Sequence, residues 1–254
     1  MSILSYRALA LVLLGYPDAA LTDADRGLEH ARDTGQAATL MFALVHGSLV
    51  NLLCGNYEAA TAHADECFTL ANEKYSLFWK AGAMLARVDA FAQKGNAAEA
   101  VETFTSGLAA WRTTGSTLWV PLHTSLLAST YARLGKLDEA WRCIDEAFSI
   151  IAATKERWFE AEANRIAGEI ALKSPEQDAT KAETYFERAL AIARKQQAKS
   201  WELRAAMSMA RLWRDQGKRD EARDLLAPVY GWFTEGFDTR DLKEAKTLLD
   251  ALAS

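Results

Sequence analysis

The sequence has few cysteines and lacks the short motifs that mark common catalytic and metal-binding sites. Cys54, Cys67 and Cys143 are the three cysteines, and they form no CxxC pair. We therefore predict packing residues in a reducing compartment rather than a disulfide framework or a zinc site. No GxxxxGK(S/T) phosphate loop, HExxH helix or GxSxG elbow occurs. The chain is predicted to be non-catalytic, with no cofactor and no bound metal.

The segment 63–67 comes nearest to a metal site, because it gathers a histidine, two acidic residues and a cysteine on one predicted helix. Cys67, however, falls on the predicted packing side of that helix, and His63 lies one residue before Ala64 on the same side. Packing is therefore the favoured interpretation of this segment, and a metal site is the alternative.

Long hydrophobic runs and an excess of positive charge are also missing. The longest early apolar run, Ala8 to Leu14, is too short to span a bilayer, and no signal peptide is present. The formal net charge is −5, which argues against broad binding to nucleic acid or to anionic membranes. We predict a cytoplasmic protein that binds neither nucleic acid nor membrane.

What the sequence does contain is a repeat in which an alanine follows a glycine after five residues. The pairs are Gly15 and Ala20, Gly55 and Ala60, Gly95 and Ala100, Gly135 and Ala140, and Gly217 and Ala222. The step between successive alanines is 40 residues, except for one of 42 before Ala182. Apolar residues then follow at helical spacing, as at Ile144, Ala147 and Ile151. This pattern predicts an all-α fold, a right-handed α-α superhelix of six helical hairpins in a single domain over residues 1–254.

The repeat also predicts where each hairpin lies. We place the six hairpins at about residues 1–33, 38–73, 77–113, 117–153, 157–196 and 199–234. The third hairpin is expected to turn at Gly95 and Asn96, and the fifth at a longer turn that contains Pro175. Pro228 is expected to kink or split the last hairpin's second helix. A C-terminal capping helix over 239–252 is expected to close the array, because one side of it is apolar and the other is charged.

The pattern Ala182-x3-Phe186-x2-Ala189-Leu190 resembles the tetratricopeptide repeat (TPR). The usual TPR period is about 34 residues, so a 40-residue step implies longer helices. Segments 13–21, 155–170, 200–213 and 225–238 are similar to the C-terminal region of bacterial multidomain proteins. Those proteins carry a class III adenylate/guanylate cyclase domain or a DNA-binding domain, then a P-loop ATPase, then a TPR array. The resemblance implies that this chain is the regulatory or sensor TPR region of a larger signalling protein, whose catalytic domains lie outside these residues.

In a TPR array the first helix of each hairpin lines a concave groove. From the first three hairpins the repeat register places Tyr6, Leu9, Phe42, Val45, His46, Leu49, Leu85 and Asp89 in that groove. From the last three it places Leu122, Ser125, Ser129, Glu162, Arg165, Glu169, Arg204 and Arg211 there. The predicted groove begins apolar and ends charged, which suits a protein or peptide ligand whose carboxylates meet the arginines. The alternative is that Glu162, Arg165 and Glu169 only pair with one another.

Two other functions stay open at the level of sequence. The first helix is apolar on every side, so the N-terminal hairpin could pair with a second copy of the chain and form a homodimer. The groove could also hold a small-molecule effector. The protein partner, if there is one, could be a separate molecule or another domain of the same polypeptide.

Overall fold

Helices make up nearly all of the described chain. The computed structural model describes residues 2–93, 97–174 and 178–253, without the side chains of residues 89–91 and 93. The helices are α1 (Ser2–Leu14), α2 (Pro17–Asp33), α3 (Ala37–Cys54), α4 (Tyr57–Glu73), α5 (Leu77–Gln93), α6 (Ala97–Thr113), α7 (Val120–Arg133), α8 (Leu137–Thr154), α9 (Glu160–Leu172), α10 (Ala179–Gln196), α11 (Lys199–Asp215), α12 (Arg219–Tyr230) and α13 (Arg240–Ala253). No strand occurs within these ranges, and the all-α prediction is confirmed.

Each predicted hairpin corresponds to a pair of successive helices, and α13 follows as the closing helix. The fourth and fifth hairpins begin later than predicted, at Val120 and Glu160. The helix α12 contains Pro228 but ends at Tyr230, rather than continuing to residue 234. The predicted turns at Gly95 and at Pro175 lie outside the described residues.

The turn after α3 shows why the repeat carries a glycine at this position. Gly55 has φ +83°, in the left-handed region where a side chain is unfavourable. In that conformation its N–H donates to the carbonyl of Leu52 at 3.1 Å, and the next N–H, of Asn56, donates to Asn51 at 2.8 Å. These bonds satisfy carbonyls at the helix end and turn the chain towards α4.

Residue contacts divide the chain into two compact units. The first unit contains Pro17–Leu118 together with α1 as far as Val12, and the second contains the chain from Trp119 onward together with Leu13–Tyr16. In the first unit, α3 contacts α2, α4 and α5. In the second, α9 contacts α7, α8, α10 and α11, and α13 contacts α11 and α12. The single domain over 1–254 stays a prediction.

The first helices of the second and fifth hairpins, α3 and α9, are deeply enclosed, because neighbouring helices pack against several of their sides. Residues 43–54 of α3 are all buried. In the second unit, Gly168 of α9 lies so close to Phe186 of α10 that a β-carbon on Gly168 would be 2.7 Å from the ring atom Cδ1. The Phe186 ring is itself fully buried. The close packing of α9 against α10 therefore requires a residue without a side chain at position 168.

Candidate functional site

Several residues predicted to line the groove are buried in the core instead. Leu49 is 5% exposed, Leu85 0% and Leu122 1%. A side chain with so little exposure cannot contact a ligand, and the assignment of these three leucines to an open face is wrong. The physical reason is that neighbouring helices enclose α3, α5 and α7, which carry these leucines, and leave only a narrow accessible strip on each. The side chain of Asp89 lies outside the described residues.

In the first unit the accessible strip carries aromatic rings from three successive first helices. Tyr6 of α1 is 54% exposed, and its ring meets Phe42 of α3 edge to face at 5.8 Å between centroids. Phe42 in turn meets Trp79 of α5 edge to face at 6.0 Å. Phe42 and Trp79 are half-buried, as is Leu9 on the same helix as Tyr6. We call Tyr6, Phe42 and Trp79 the aromatic row. Trp79 was not among the residues predicted to line the groove.

The His46 ring packs against two rings of the aromatic row. Its ring stacks on Phe42 at 4.0 Å and meets Tyr6 edge to face at 5.2 Å. Its Nδ1 donates to the Phe42 carbonyl at 2.8 Å, since a carbonyl can only accept. Burial lowers the pKa of His46 to about 4, so the ring is neutral near pH 7. His46 is only 3% exposed; it therefore positions the row and is not a contact residue.

In the second unit the corresponding strip carries charges from α9, α11 and α13. We call Glu162, Arg165, Glu169, Arg204, Arg211, Asp241 and Glu244 the charged row. Within α9, the guanidinium of Arg165 donates two bonds to Glu162, both at 2.8 Å, and a further bond to Glu169. The alternative interpretation of these three residues, mutual pairing, describes the structure.

The arginines of α11 are also paired within the chain. Arg204 donates to Asp241 at 2.5 Å and to Glu162 at 3.3 Å, and Arg211 donates to Glu244 at 3.0 Å. Asp241 and Glu244 belong to α13, and neither was predicted to line the groove. The two carboxylates are three residues apart and therefore lie on one face of α13. This spacing is the sequence signal that could have identified them.

Charges within this row compensate one another. Burial alone would raise the pKa of Glu162, but the nearby charges of Arg165 and Arg204 outweigh it, so that pKa lies below its ordinary value. Burial opposes the charge of Arg165 as well, yet its paired carboxylates hold its pKa above the ordinary value. A ligand carboxylate would have to displace a carboxylate of the chain. The bonds of the row join α9 to α11 and α11 to α13, and we call this the clamp role of the row.

Comparison with solved structures identifies the fold. No protein-family model matches the chain, and no curated protein matches it. A Rap protein complexed with competence and sporulation factor has a TM-score of 0.67 at 12% identity, over 98% of this chain and 73% of that one. The apo form of RapI has a TM-score of 0.65 at 12% identity, over 98% and 84%. TPR-like repeats of a Podosopora anserina kinesin light chain have a TM-score of 0.50 at 18% identity, over 75% and 93%.

The fold is TPR-like. At identities of 12–18% the likeness shows the α-α repeat architecture and does not by itself transfer a function. The predicted TPR-like superhelix is thus confirmed as a fold, and its binding surface has to be argued from the two rows.

Cys67 of the segment 63–67 is a packing residue. Cys67 is fully buried, and its Sγ lies 3.7 Å from the Met41 carbonyl and 3.9 Å from that of Trp79. Burial, with a contribution from Glu66, raises the pKa of the Cys67 thiol to about 12, so it is not a thiolate near pH 7. Among the described residues, no group of three or more His, Cys, Asp or Glu is placed to hold a metal ion.

One helix in the described part of the chain is long and apolar enough to cross a membrane. It is α3, with a mean hydropathy of 1.7 over 18 residues, and the sequence interpretation overlooked it. Buried residues make up 72% of that window. This enclosure accounts for its composition, because a core helix that is packed on all sides is apolar all round.

Proposed function

We propose that this chain is a non-catalytic scaffold that binds a protein or peptide partner at the aromatic row. The observation that carries the proposal is the exposure of Tyr6 beside two half-buried rings. Aromatic side chains that are held by packing and still accessible are the residues that most often anchor interfaces. The Rap protein of the same fold is a complex with competence and sporulation factor, which supports binding as a use of the fold.

The proposed partner presents an apolar side chain rather than a carboxylate. Burying apolar surface contributes roughly 25 cal/mol per Å² before the costs of association, and the aromatic row offers such surface. The charged row does not compete for the partner, because its arginines are already paired with carboxylates of the chain.

The context we propose is a regulatory or sensor region of a larger bacterial signalling protein in the cytoplasm, with nucleotide cyclase or P-loop ATPase domains. It is supported by the resemblance of segments 155–170, 200–213 and 225–238 to the repeat arrays of such proteins. The partner is then a separate protein or peptide, or another domain of the same polypeptide.

Peptides selected on the purified protein from a displayed random library test the binding surface. We expect Phe42→Ala to weaken the binding of the selected peptides at least about tenfold, or about 1.4 kcal/mol. The reason is that Phe42 contacts both other rings of the row. Fluorescence anisotropy with labelled peptides measures the dissociation constants of both proteins.

A second substitution guards against loss of folding, since Phe42 is half-buried. Tyr6→Ser alters a mostly exposed side chain and should weaken the same peptides while the melting temperature stays unchanged. Arg211→Gln is the matched control in the charged row and should leave binding intact. Peptides that lose affinity with Arg211→Gln, and not with Phe42→Ala or Tyr6→Ser, would place the ligand on the charged row and contradict the proposal.

Homodimerisation is a second candidate function, favoured by the exposed apolar side of α1. This helix buries only Ser5, Ala8 and Val12, while Ile3 is 78% exposed and Leu14 39%. Sedimentation velocity over a wide concentration series should show a dimer that Ile3→Lys dissociates. Leu134→Lys changes an apolar side chain that is 37% exposed, in the turn after α7, and should leave the dimer intact. A monomer at every concentration would remove this candidate.

A further inference from the structure

Five of the hairpins' second helices end in a shared backbone conformation. A residue with positive φ lies at or just after the end of α2, α4, α6, α8 and α10. These residues are Gly35 (φ +65°), Tyr75 (φ +53°), Gly115 (φ +78°), Lys155 (φ +62°) and Gln197 (φ +56°). Glycine is the usual residue in this conformation. Lys155 and Gln197, which have long polar side chains, occupy it in two of the five turns. Tyr75 is the bulky aromatic of the set.

Tyr75 is strained without any packing that offsets the strain. The helix end requires the conformation, because the N–H of Tyr75 donates to Asn72 at 3.2 Å and that of Ser76 donates to Ala71 at 2.9 Å. A bulky residue with positive φ is an outlier that costs free energy. The Tyr75 side chain is 93% exposed, so the folded chain gains almost nothing from burying it. An outlier of this kind is the observation from which a function is inferred.

Tyr75 is part of a larger exposed apolar surface on the first unit. Leu77 is 75% exposed, Leu118 43% and Phe78 36%. The Phe78 ring lies 4.7 Å from that of Trp111, and the indole N–H of Trp111 donates to the Leu118 carbonyl at 2.9 Å. Trp111 therefore contacts both the start of α5 and the loop before α7. We call Tyr75, Leu77, Phe78 and Leu118 the apolar edge.

The segment that carries Tyr75 and Leu77 has an excess of positive charge, although the chain as a whole is acidic. Residues 72–80 contain Lys74 and Lys80 against one carboxylate, Glu73. The excess belongs to this first segment alone, because the carboxylate of Glu156 accepts from the backbone N–H of Trp119, which directly follows Leu118. In a protein of net charge −5, this local excess favours an acidic partner.

We propose that the apolar edge is a docking surface for an acidic peptide segment that inserts one aliphatic or aromatic side chain beside Tyr75. The partner's carboxylates meet Lys74 and Lys80, and its anchor covers Tyr75, Leu77 and Phe78. Phe78 of this surface meets Trp79 of the aromatic row edge to face at 4.9 Å, but the anchor lies beside Tyr75, and the proposal does not depend on ligand binding at the row.

A subtractive selection tests this surface. A displayed random peptide library is selected on immobilised protein in the presence of excess soluble Tyr75→Gly protein, which removes peptides that bind elsewhere. We expect the surviving peptides to be rich in Asp and Glu around one large apolar residue. We also expect them to bind Tyr75→Gly at least tenfold more weakly, while that substitution raises the melting temperature by relieving the strain.

Lys155→Gly is the matched control, since it removes a side chain from the same conformation in the second unit. It should leave the affinity of the surviving peptides unchanged. The proposal is overturned if the subtraction leaves no peptide, or if the surviving peptides show no acidic excess. It is also overturned if Tyr75→Gly dissociates a dimer of the wild-type chain, because the surface then belongs to a second copy.

Discussion

Replacing Glu162 by alanine is expected to lower the free energy of unfolding by about 3 kcal/mol, because it removes a buried carboxylate that two mostly buried arginines share. Glu162 is 3% exposed and accepts bonds from both Arg165 and Arg204. Arg165 keeps its bond to Glu169, so the loss should fall at the lower end of what breaking a buried pair costs. Urea unfolding followed by circular dichroism measures the change.

The matched control is Glu169→Ala, which removes another carboxylate from Arg165. The Glu169 side chain is 37% exposed, so water can replace it, and we expect a loss below about 1 kcal/mol. The effect of Glu162→Ala should also depend on pH. Since the folded-state pKa of Glu162 is lowered, its contribution is complete above the unfolded-state pKa and disappears as the pH falls through the folded-state value. Equal losses for the two variants near pH 7 would contradict the clamp role of Glu162.

Gly168→Ala is expected to destabilise the second unit by about 2 kcal/mol, although alanine is the better helix former. The added methyl group would lie 2.7 Å from Cδ1 of Phe186, and the fully buried ring has no free space into which to move. The α9–α10 pair must therefore separate, or the ring must leave its position. Thermal and urea unfolding give the change in stability.

A glycine in α2 provides the comparison. A β-carbon on Gly27 would meet its nearest neighbour, Cβ of Leu4, at 3.6 Å, which is ordinary contact. Gly27→Ala should therefore keep or raise the stability, by up to about 1 kcal/mol from helix propensity. If Gly168→Ala proved as stable as Gly27→Ala, the close approach of α9 and α10 would not be needed for the fold.

The fold could be predicted because a local conformation recurs at a fixed step. Gly15, Gly55, Gly135 and Gly217 all have positive φ in the structure, and each ends a first helix at the place that the repeat indicates. A turn of this kind depends on a few neighbouring residues, so a single sequence contains its signal. Tyr75 shows the opposite case, because nothing in its type predicts a left-handed conformation.

The binding surface could be predicted only in part. The repeat register placed Tyr6 and Phe42 in the groove, and the structure shows their rings in contact. The same register placed Leu85 and Leu122 on the open face, but enclosure by neighbouring helices buries both. Burial depends on how closely whole helices approach, and a spacing of residues along one helix does not contain that information.

The charged row illustrates the same limit of sequence patterns. The pairing of Arg165 with Glu162 and Glu169 follows helical spacing and could be weighed in advance. The bond from Arg204 to Asp241 joins residues 37 positions apart on different helices. This bond forms because α13 packs against α11. Arg204 was predicted to meet a ligand, but in the structure it binds α13.

The most direct measurement of where the partner binds is the indole N–H spectrum of ¹⁵N-tryptophan-labelled protein, recorded while a selected peptide is added. Trp79 belongs to the aromatic row, whereas the indole of Trp213 donates to Glu183 at 2.7 Å in the second unit. Substitution of each tryptophan by phenylalanine assigns the two signals. Binding at the aromatic row predicts that the Trp79 signal shifts with saturation and that the Trp213 signal stays in place. A shift of Trp213 with no change at Trp79 would contradict it.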